Sequence, residues 1–111
     1  MVSSKEKKHI VDPTTALNLV GYQDYTIVSR TLLNKQTGSI TVFAFDAGQG
    51  LSEHTTPFDA FVFILDGEAE IIVSGKKHQM QMGAVLLLPA HKPHAVHAVK
   101  RFKMMLVMIQ S

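Results

Sequence analysis

Residues 48–60 read GQGLSEHTTPFDA and residues 83–98 read GAVLLLPAHKPHAVHA, and these two stretches decide the fold. Each starts at a glycine that is followed, after five residues, by His54 in the first stretch and by Pro89 in the second. Six further residues separate Ala60 from Gly67. Glycine and proline punctuate short apolar runs here, which is typical of β-strands joined by tight turns.

The rest of the chain extends the same pattern. The sequence predicts strands at 26–33, 39–46, 60–65, 68–73, 77–82, 84–88, 94–99 and 102–109. Turn residues separate them, and Asp66-Gly67 reads as a hairpin turn. About eight short strands with no competing helical period indicate an all-β barrel or sandwich.

An N-terminal region precedes the strands. Residues 1–11 have the composition of a tail, and Asp12-Pro13 is a typical helix start, with Asp as the cap and Pro at the first helical position. A short helix or turn is expected through about Val20. The predicted division is therefore a tail with a short helix at 1–24 and a barrel at 25–111.

The two stretches resemble the motif pair of the cupin superfamily. The first cupin motif runs Gly, five residues, His, one residue, His, three or four residues, Glu, six residues, Gly; His54 and Gly67 match it here. The second runs Gly, five residues, Pro, one residue, Gly, two residues, His, three residues, Asn; Pro89 and His94 match it. The resemblance implies a small single-domain cupin of RmlC-like fold, a double-stranded β-helix (jelly-roll) barrel with a short N-terminal helix or arm.

The resemblance also implies a metal site inside the barrel, with an incomplete ligand set. His54 and His94 keep ligand-type residues at ligand positions, whereas Thr56 stands in place of the second His and Ala60 in place of the Glu. Imidazole nitrogen suits a divalent transition metal such as Zn, Fe, Mn or Ni. Asp59 is a possible third ligand. The alternative is a histidine pair that lines a cavity with water between the rings.

The predicted pocket is small and mostly apolar. Its lining consists of the two histidines with Thr56, Ala60, Val62, Val96 and Ala98, and Phe43, Phe45, Met104 or Met108 are candidates for its walls. His91 occupies the Gly position of the second motif and is a candidate proton donor or acceptor. His97 falls on the opposite strand face from His94 and is expected to point outward. Such a pocket suits a small, largely apolar molecule.

Several predicted strands are apolar on both faces, and one barrel interior cannot cover both. If Ala60, Val62 and Ile64 point inward, as the cupin resemblance implies, then Phe61, Phe63 and Leu65 point outward. The N-terminal segment can cover part of that face, and a second subunit is expected to cover the rest. We therefore expect a homodimer through Phe61, Phe63 and Leu65, in agreement with the sheet-to-sheet dimers that the cupin resemblance implies.

Composition limits the remaining possibilities. A net charge of +2 without a basic stripe gives no reason to expect nucleic acid, and the apolar runs are too short to span a membrane. The absence of cysteine excludes disulfides and thiolate sites and favours the cytoplasm. Three functions stay open: a metal-dependent enzyme acting on a small molecule, a non-catalytic binding or sensing barrel, and a structural dimerisation module.

Overall fold

A computed structural model describes residues 12–110. In that part of the chain a 3-10 helix, Ala16–Leu19, precedes eight strands, which are β1 Ile27–Lys35, β2 Gly38–Phe45, β3 Gly50–His54, β4 Phe58–Val73, β5 Lys76–Gln81, β6 Val85–Leu88, β7 His94–His97 and β8 Phe102–Gln110. The strands form one curled sheet in the order β1-β2-β8-β4-β7-β3, and β5 and β6 also pair with β4. The predicted all-β jelly roll is confirmed. The predicted tail at 1–11 lies outside the described residues.

The long strand β4 corrects one local prediction. Asp66-Gly67 is not a hairpin turn, because both residues lie within β4. The register of β4 against β8 shifts between Ile64 and Asp66, and Gly67 has a φ of 73°. These are the marks of a β-bulge, which bends a strand and needs a residue that tolerates positive φ. The bulge lets the first part of β4 pair with β8 and β6, and the second part with β5 and β7.

The barrel interior is closely filled. The inward side chains of β4 are Ala60, Val62 and Ile64, which are 2%, 1% and 0% exposed, as the sequence predicted. The rings of Phe45 and Phe102 stack in this core with their centroids 4.5 Å apart. Large side chains therefore occupy most of the interior and leave little free space near the motif histidines.

The N-terminal segment covers part of the outer sheet face. Leu19 and Val20 form a second apolar cluster with Val42, Ala44 and Leu65, and Phe63 and Met105 pack against it. Polar contacts hold the segment in place: the Tyr22 hydroxyl donates to Asp66 at 2.7 Å and Lys103 Nζ donates to the Leu17 carbonyl at 2.8 Å. The helix itself is a single 3-10 turn that begins at Ala16, later than the predicted start at Asp12-Pro13.

This cover buries part of the face on which the sequence predicts a dimer interface. Leu65 is only 7% exposed and Phe63 is half-buried, whereas Phe61 is 39% exposed. Phe61 belongs to a row of register partners that crosses five strands and consists of Leu87, Phe61, Val107, Ile40 and Leu33. The uncovered apolar surface is therefore this row, with Val85 and Ile109 beside it, and not the set Phe61, Phe63 and Leu65. The described residues include no helix that is long and apolar enough to cross a membrane.

Candidate metal centre

The two motif histidines are neighbours on adjacent antiparallel strands. His54 ends β3, His94 begins β7, and the two are register partners. Leu51 pairs with Val96, so a regular ladder would place Glu53 opposite His94. A one-residue register shift between Leu51 and His54 places the imidazole there instead. Bulges commonly re-aim a side chain beside a functional site, and this one decides that the site receives a nitrogen donor rather than a carboxylate.

Each imidazole is oriented by a backbone carbonyl two residues earlier. His54 Nδ1 lies 2.7 Å from the Ser52 carbonyl oxygen and His94 Nδ1 lies 3.1 Å from that of Lys92. A carbonyl oxygen only accepts, so Nδ1 carries the proton in both rings and Nε2 of each neutral ring keeps its lone pair. This is the arrangement found around metal-bound histidines, whose second nitrogen usually donates to a carbonyl or carboxylate.

The pair is asymmetric in its surroundings. His94 is 7% exposed, whereas His54 is exposed at the mouth of the barrel. Burial lowers the pKa of His94 below its usual value, the hydrogen bond to the Lys92 carbonyl opposes that shift, and the nearby His54 adds to it. His94 is therefore held as the neutral imidazole near neutral pH, which is the protonation state that a metal requires.

A small cavity adjoins the pair. Its volume is about 40 Å³, and beyond the two histidines it is lined by Leu51, Val62, Leu88, Val96, Met104 and Leu106. A space of this size holds an ion or a water molecule, far below the roughly 300–1,000 Å³ of sites for drug-sized ligands. The larger depressions, of about 310 and 450 Å³, lie around Glu68 and Lys100 and include neither His54 nor His94.

Of the other residues predicted to line the pocket, two line the cavity and three do not. Val62 and Val96 line the cavity, whereas Ala60 and Ala98 are buried in the core without lining it. Thr56 uses its hydroxyl to accept from the Phe58 amide at 3.3 Å. Sequence reasoning missed Leu51, Leu88 and Leu106; their alternation with outward neighbours on β3, β6 and β8 was the available signal.

Asp59 is not brought to the histidine pair as a ligand. Its Oδ1 accepts a hydrogen bond from the Ala90 amide at 2.8 Å, which ties β4 to the loop after β6. Within residues 12–110, no group of three His, Cys, Asp or Glu side chains is placed to hold a metal ion. Asp59, the predicted third ligand, therefore anchors a loop. Among the His, Cys, Asp and Glu side chains of the described residues, two imidazoles are brought together here.

The other three histidines within residues 12–110 have different surroundings, and His78 on β5 is paired with the buried Ile71. His91 is exposed in the loop between β6 and β7, with a φ of 69°, and its amide donates to the Thr56 carbonyl at 2.8 Å. His97 is exposed, with Nδ1 3.6 Å from Glu70 Oε1, which confirms its predicted outward orientation. His78 is half-buried on β5.

The geometry fits a two-imidazole metal site. The ring centroids of His54 and His94 are 4.4 Å apart and the ring planes meet at 67°. Two imidazoles that share one ion through Nε2 have centroids roughly 4.5–5.5 Å apart at ordinary metal–nitrogen distances. The observed 4.4 Å is close to the lower end of that range, and the exposed side of His54 faces the barrel mouth.

Comparisons with known proteins agree with this architecture. The family model described as "Cupin domain" matches residues 41–110. A conserved protein of unknown function from Streptococcus pyogenes is 34% identical, over 96% of this chain and 97% of that one, with a TM-score of 0.82. A cupin superfamily protein from Desulfitobacterium hafniense is 29% identical, over 92% and 94%, with a TM-score of 0.87.

A cupin 2 conserved barrel domain protein from Leptotrichia buccalis is 38% identical. That likeness covers 85% of this chain but 46% of the other, with a TM-score of 0.82. No curated protein sequence matches the chain. The similar structures therefore identify a fold and a family, and their names carry no activity that could be transferred to this chain.

Proposed function

Because the chain belongs to the cupin domain family, whose members often bind transition metals, we propose that it binds a transition metal ion through Nε2 of His54 and His94. The single observation that carries this proposal is the matched pair of Nδ1 hydrogen bonds to the Ser52 and Lys92 carbonyls. Burial lowers the pKa of His94, which favours its neutral ring, and Nε2 of a neutral ring that donates from Nδ1 keeps its lone pair.

The donor set narrows the choice of ion. Imidazole suits Zn, Ni, Cu and Fe, whereas Mn prefers oxygen ligands, and the described residues bring no carboxylate to the pair. Of the divalent ions expected from the sequence, Zn and Ni therefore fit better than Mn. When bound, such an ion supplies a Lewis-acidic centre with open positions for a small molecule.

The cavity volume favours approach from outside. About 40 Å³ beside the pair leaves no room for a substrate inside the barrel. A small molecule would reach the ion from the mouth, on the exposed side of His54. This geometry serves a metal-dependent enzyme and a non-catalytic sensing barrel equally, so metal binding is the function proposed and turnover is left to experiment.

Elemental analysis of protein purified without a histidine tag tests the proposal. The wild type is compared with His54→Ala/His94→Ala and with a matched double variant, His78→Ala/His97→Ala, each after reloading with Zn, Ni, Fe, Mn or Cu(I). We expect near-stoichiometric metal in the wild type and the control, and none in the motif double variant. Equal metal content in the two double variants would contradict the proposal, and so would a metal-free wild type after reloading.

A second role, self-association, is favoured by the apolar row Leu87, Phe61, Val107, Ile40 and Leu33. Leu87 is 62% exposed and Phe61 is 39% exposed, with Val85 and Ile109 flanking them at 54% and 56%. Single exposed apolar residues are common on protein surfaces, but these residues form a continuous row on one sheet face. Contiguous apolar patches of this kind mark interfaces. We propose a homodimer through this row, beside the part of the face that the N-terminal segment covers.

Light scattering on size-exclusion fractions tests the dimer. Leu87→Lys places a charge in the row, whereas Val99→Lys changes a residue of the same 62% exposure that lies outside it. We expect the Leu87 variant to be a monomer and the Val99 variant to keep the wild-type mass. Identical masses in the two variants would remove the row as the interface. A cytoplasmic location stays a prediction from composition.

A further inference from the structure

The cavity beside the histidine pair contains a further potential donor. Met104 lies on β8, is 2% exposed, and lines the same cavity of about 40 Å³ as His54 and His94. Its register partners are Phe43 and Ile64, both packed into the barrel core, so Met104 is on the inner face of the sheet. The thioether of Met104 and the two imidazoles therefore line one space of about 40 Å³.

The donor groups at this cavity are imidazole and thioether, both of which bind metals as neutral ligands. Leucine and valine supply the rest of the lining, and the carboxylate of Asp59 is engaged with the Ala90 amide. No carboxylate of the cavity lining neutralises the charge of an ion placed here, and the surrounding wall is apolar. The Born cost of desolvating an ion grows with the square of its charge, so a monovalent ion pays about a quarter of what a divalent ion pays.

The chemical softness of the donor atoms also favours a monovalent ion. Thioether sulfur is a soft ligand that selects Cu(I), and imidazole is also a good copper ligand. The hard oxygen donors that favour Mg, Ca and Mn are missing from the cavity lining. Cu(I) has a filled d shell and imposes no ligand-field geometry, so an unsymmetrical set of two nitrogens and one sulfur satisfies it.

We propose that the ion bound at this site is Cu(I), held by Nε2 of His54, Nε2 of His94 and the thioether sulfur of Met104. The inference rests on the proposed metal binding by the histidine pair and adds to it the identity of the ion and a third protein donor. It assigns no reaction to the site. Met104 would also set the preference of the site for copper over zinc, because sulfur contributes more to a soft ion than to a borderline one.

The test measures two affinities on untagged full-length protein. Cu(I) affinity is measured under argon with ascorbate, in competition with a chromophoric Cu(I) chelator. Zn(II) affinity is measured in competition with a zinc indicator. The variant is Met104→Leu, which conserves volume and usually costs less than about 1.5 kcal/mol of stability. The control is Met108→Leu, on the same strand and packed against the same core, but outside the cavity lining.

We expect the wild type to bind Cu(I) more tightly than Zn(II). Met104→Leu should weaken Cu(I) binding at least as much as the roughly 10–100-fold that losing an outer-shell partner costs. It should leave Zn(II) binding unchanged, and Met108→Leu should change neither. X-ray absorption at the copper edge should show a sulfur neighbour in the wild type, a readout that does not depend on any variant folding.

The failures are distinguishable. Zn(II) binding without Cu(I) binding, or equal Cu(I) affinities for the two methionine variants, would overturn the copper inference and leave the histidine-pair proposal standing. A wild-type spectrum without a sulfur neighbour would remove Met104 as a ligand. Binding of neither ion would overturn the proposed function itself.

Discussion

The two motif segments differ in how deeply they bury their histidines, although both anchor the imidazole to a backbone carbonyl. His54, at the end of β3, is exposed at the barrel mouth, whereas His94, at the start of β7, is 7% exposed. Both rings nevertheless donate from Nδ1 to a carbonyl two residues earlier. The two motifs thus have separate tasks, since their glycines and bulges shape the fold while individual side chains at the barrel mouth supply the chemistry.

The largest expected effect concerns the glycines that end the first motif and begin the second. Gly67 and Gly83 both have positive φ, 73° and 92°. A Cβ at Gly67 would clash with the Arg101 carbonyl oxygen and lie 2.9 Å from Phe102 Cα, whereas a Cβ at Gly83 meets nothing within 4 Å. Gly67→Ala should therefore cost about 3 kcal/mol or more, and Gly83→Ala about 1–2 kcal/mol, in free energy of unfolding.

Urea unfolding of the two glycine variants measures this difference. Both variants carry the strain of a positive φ, so their difference isolates the backbone clash at the β4 bulge. If the two urea unfolding midpoints coincide, the close approach of Arg101 to β4 does not hold the bend. The view that the motif glycines set the fold would then lose its clearest support.

The next effect compares the histidines directly in metal-free protein. His94→Ala removes a buried ring and leaves the Lys92 carbonyl without its donor, which should cost about 2 kcal/mol in free energy of unfolding. His54→Ala removes an exposed side chain and should stay within about 0.5 kcal/mol. Denaturant unfolding in the presence of a chelator gives both values. Equal losses would show that the two motifs hold their histidines alike.

The pH dependence of stability sharpens the same comparison. The folded-state pKa of His94 is lowered from 6.5, chiefly by burial, so the unfolded chain binds this proton more readily than the folded one. The contribution of neutral His94 to the free energy of unfolding is complete above pH 6.5. It is lost as the pH falls through the lower pKa of the folded state. Unfolding midpoints at about pH 7.5 and about pH 5 should therefore differ less in His94→Gln than in the wild type. An unchanged difference in His94→Gln would contradict this assignment.

Much of the barrel could be predicted because its strands alternate clearly and glycine and proline mark their ends. The cupin resemblance implied that Ala60, Val62 and Ile64 point inward, and alternation then placed their neighbours on the outer face. β3 was missed because its residues, GLSEH, are mostly polar and exposed. Asp66-Gly67 has the sequence signature of a turn although it forms a bulge, because both structures place a glycine at positive φ.

Only those residues of the candidate site that motif spacing identifies could be predicted from the sequence. Two independent spacings identified His54 and His94, which the structure makes register partners. The predicted roles of Asp59 and the outer-face residues depended on long-range contacts that no local pattern encodes. Asp59 meets an amide 31 residues away, and the segment around Leu19 packs over Leu65. Side-chain partners across the barrel therefore needed the structure.

The smallest expected effect lies in the loop of the second motif, where His91 stands at a glycine position. Its φ of 69° is in the left-handed region, which costs a residue with a Cβ roughly 1–2 kcal/mol, partly offset by the extra freedom that glycine has when unfolded. His91→Gly should therefore stabilise the protein by about 0.5–1 kcal/mol, whereas His91→Ala keeps the strain. Urea unfolding compares the two variants, with metal content measured alongside. If glycine gives no gain over alanine, the loop is unstrained. If metal content falls in both variants, His91 acts on the site and not only on the backbone.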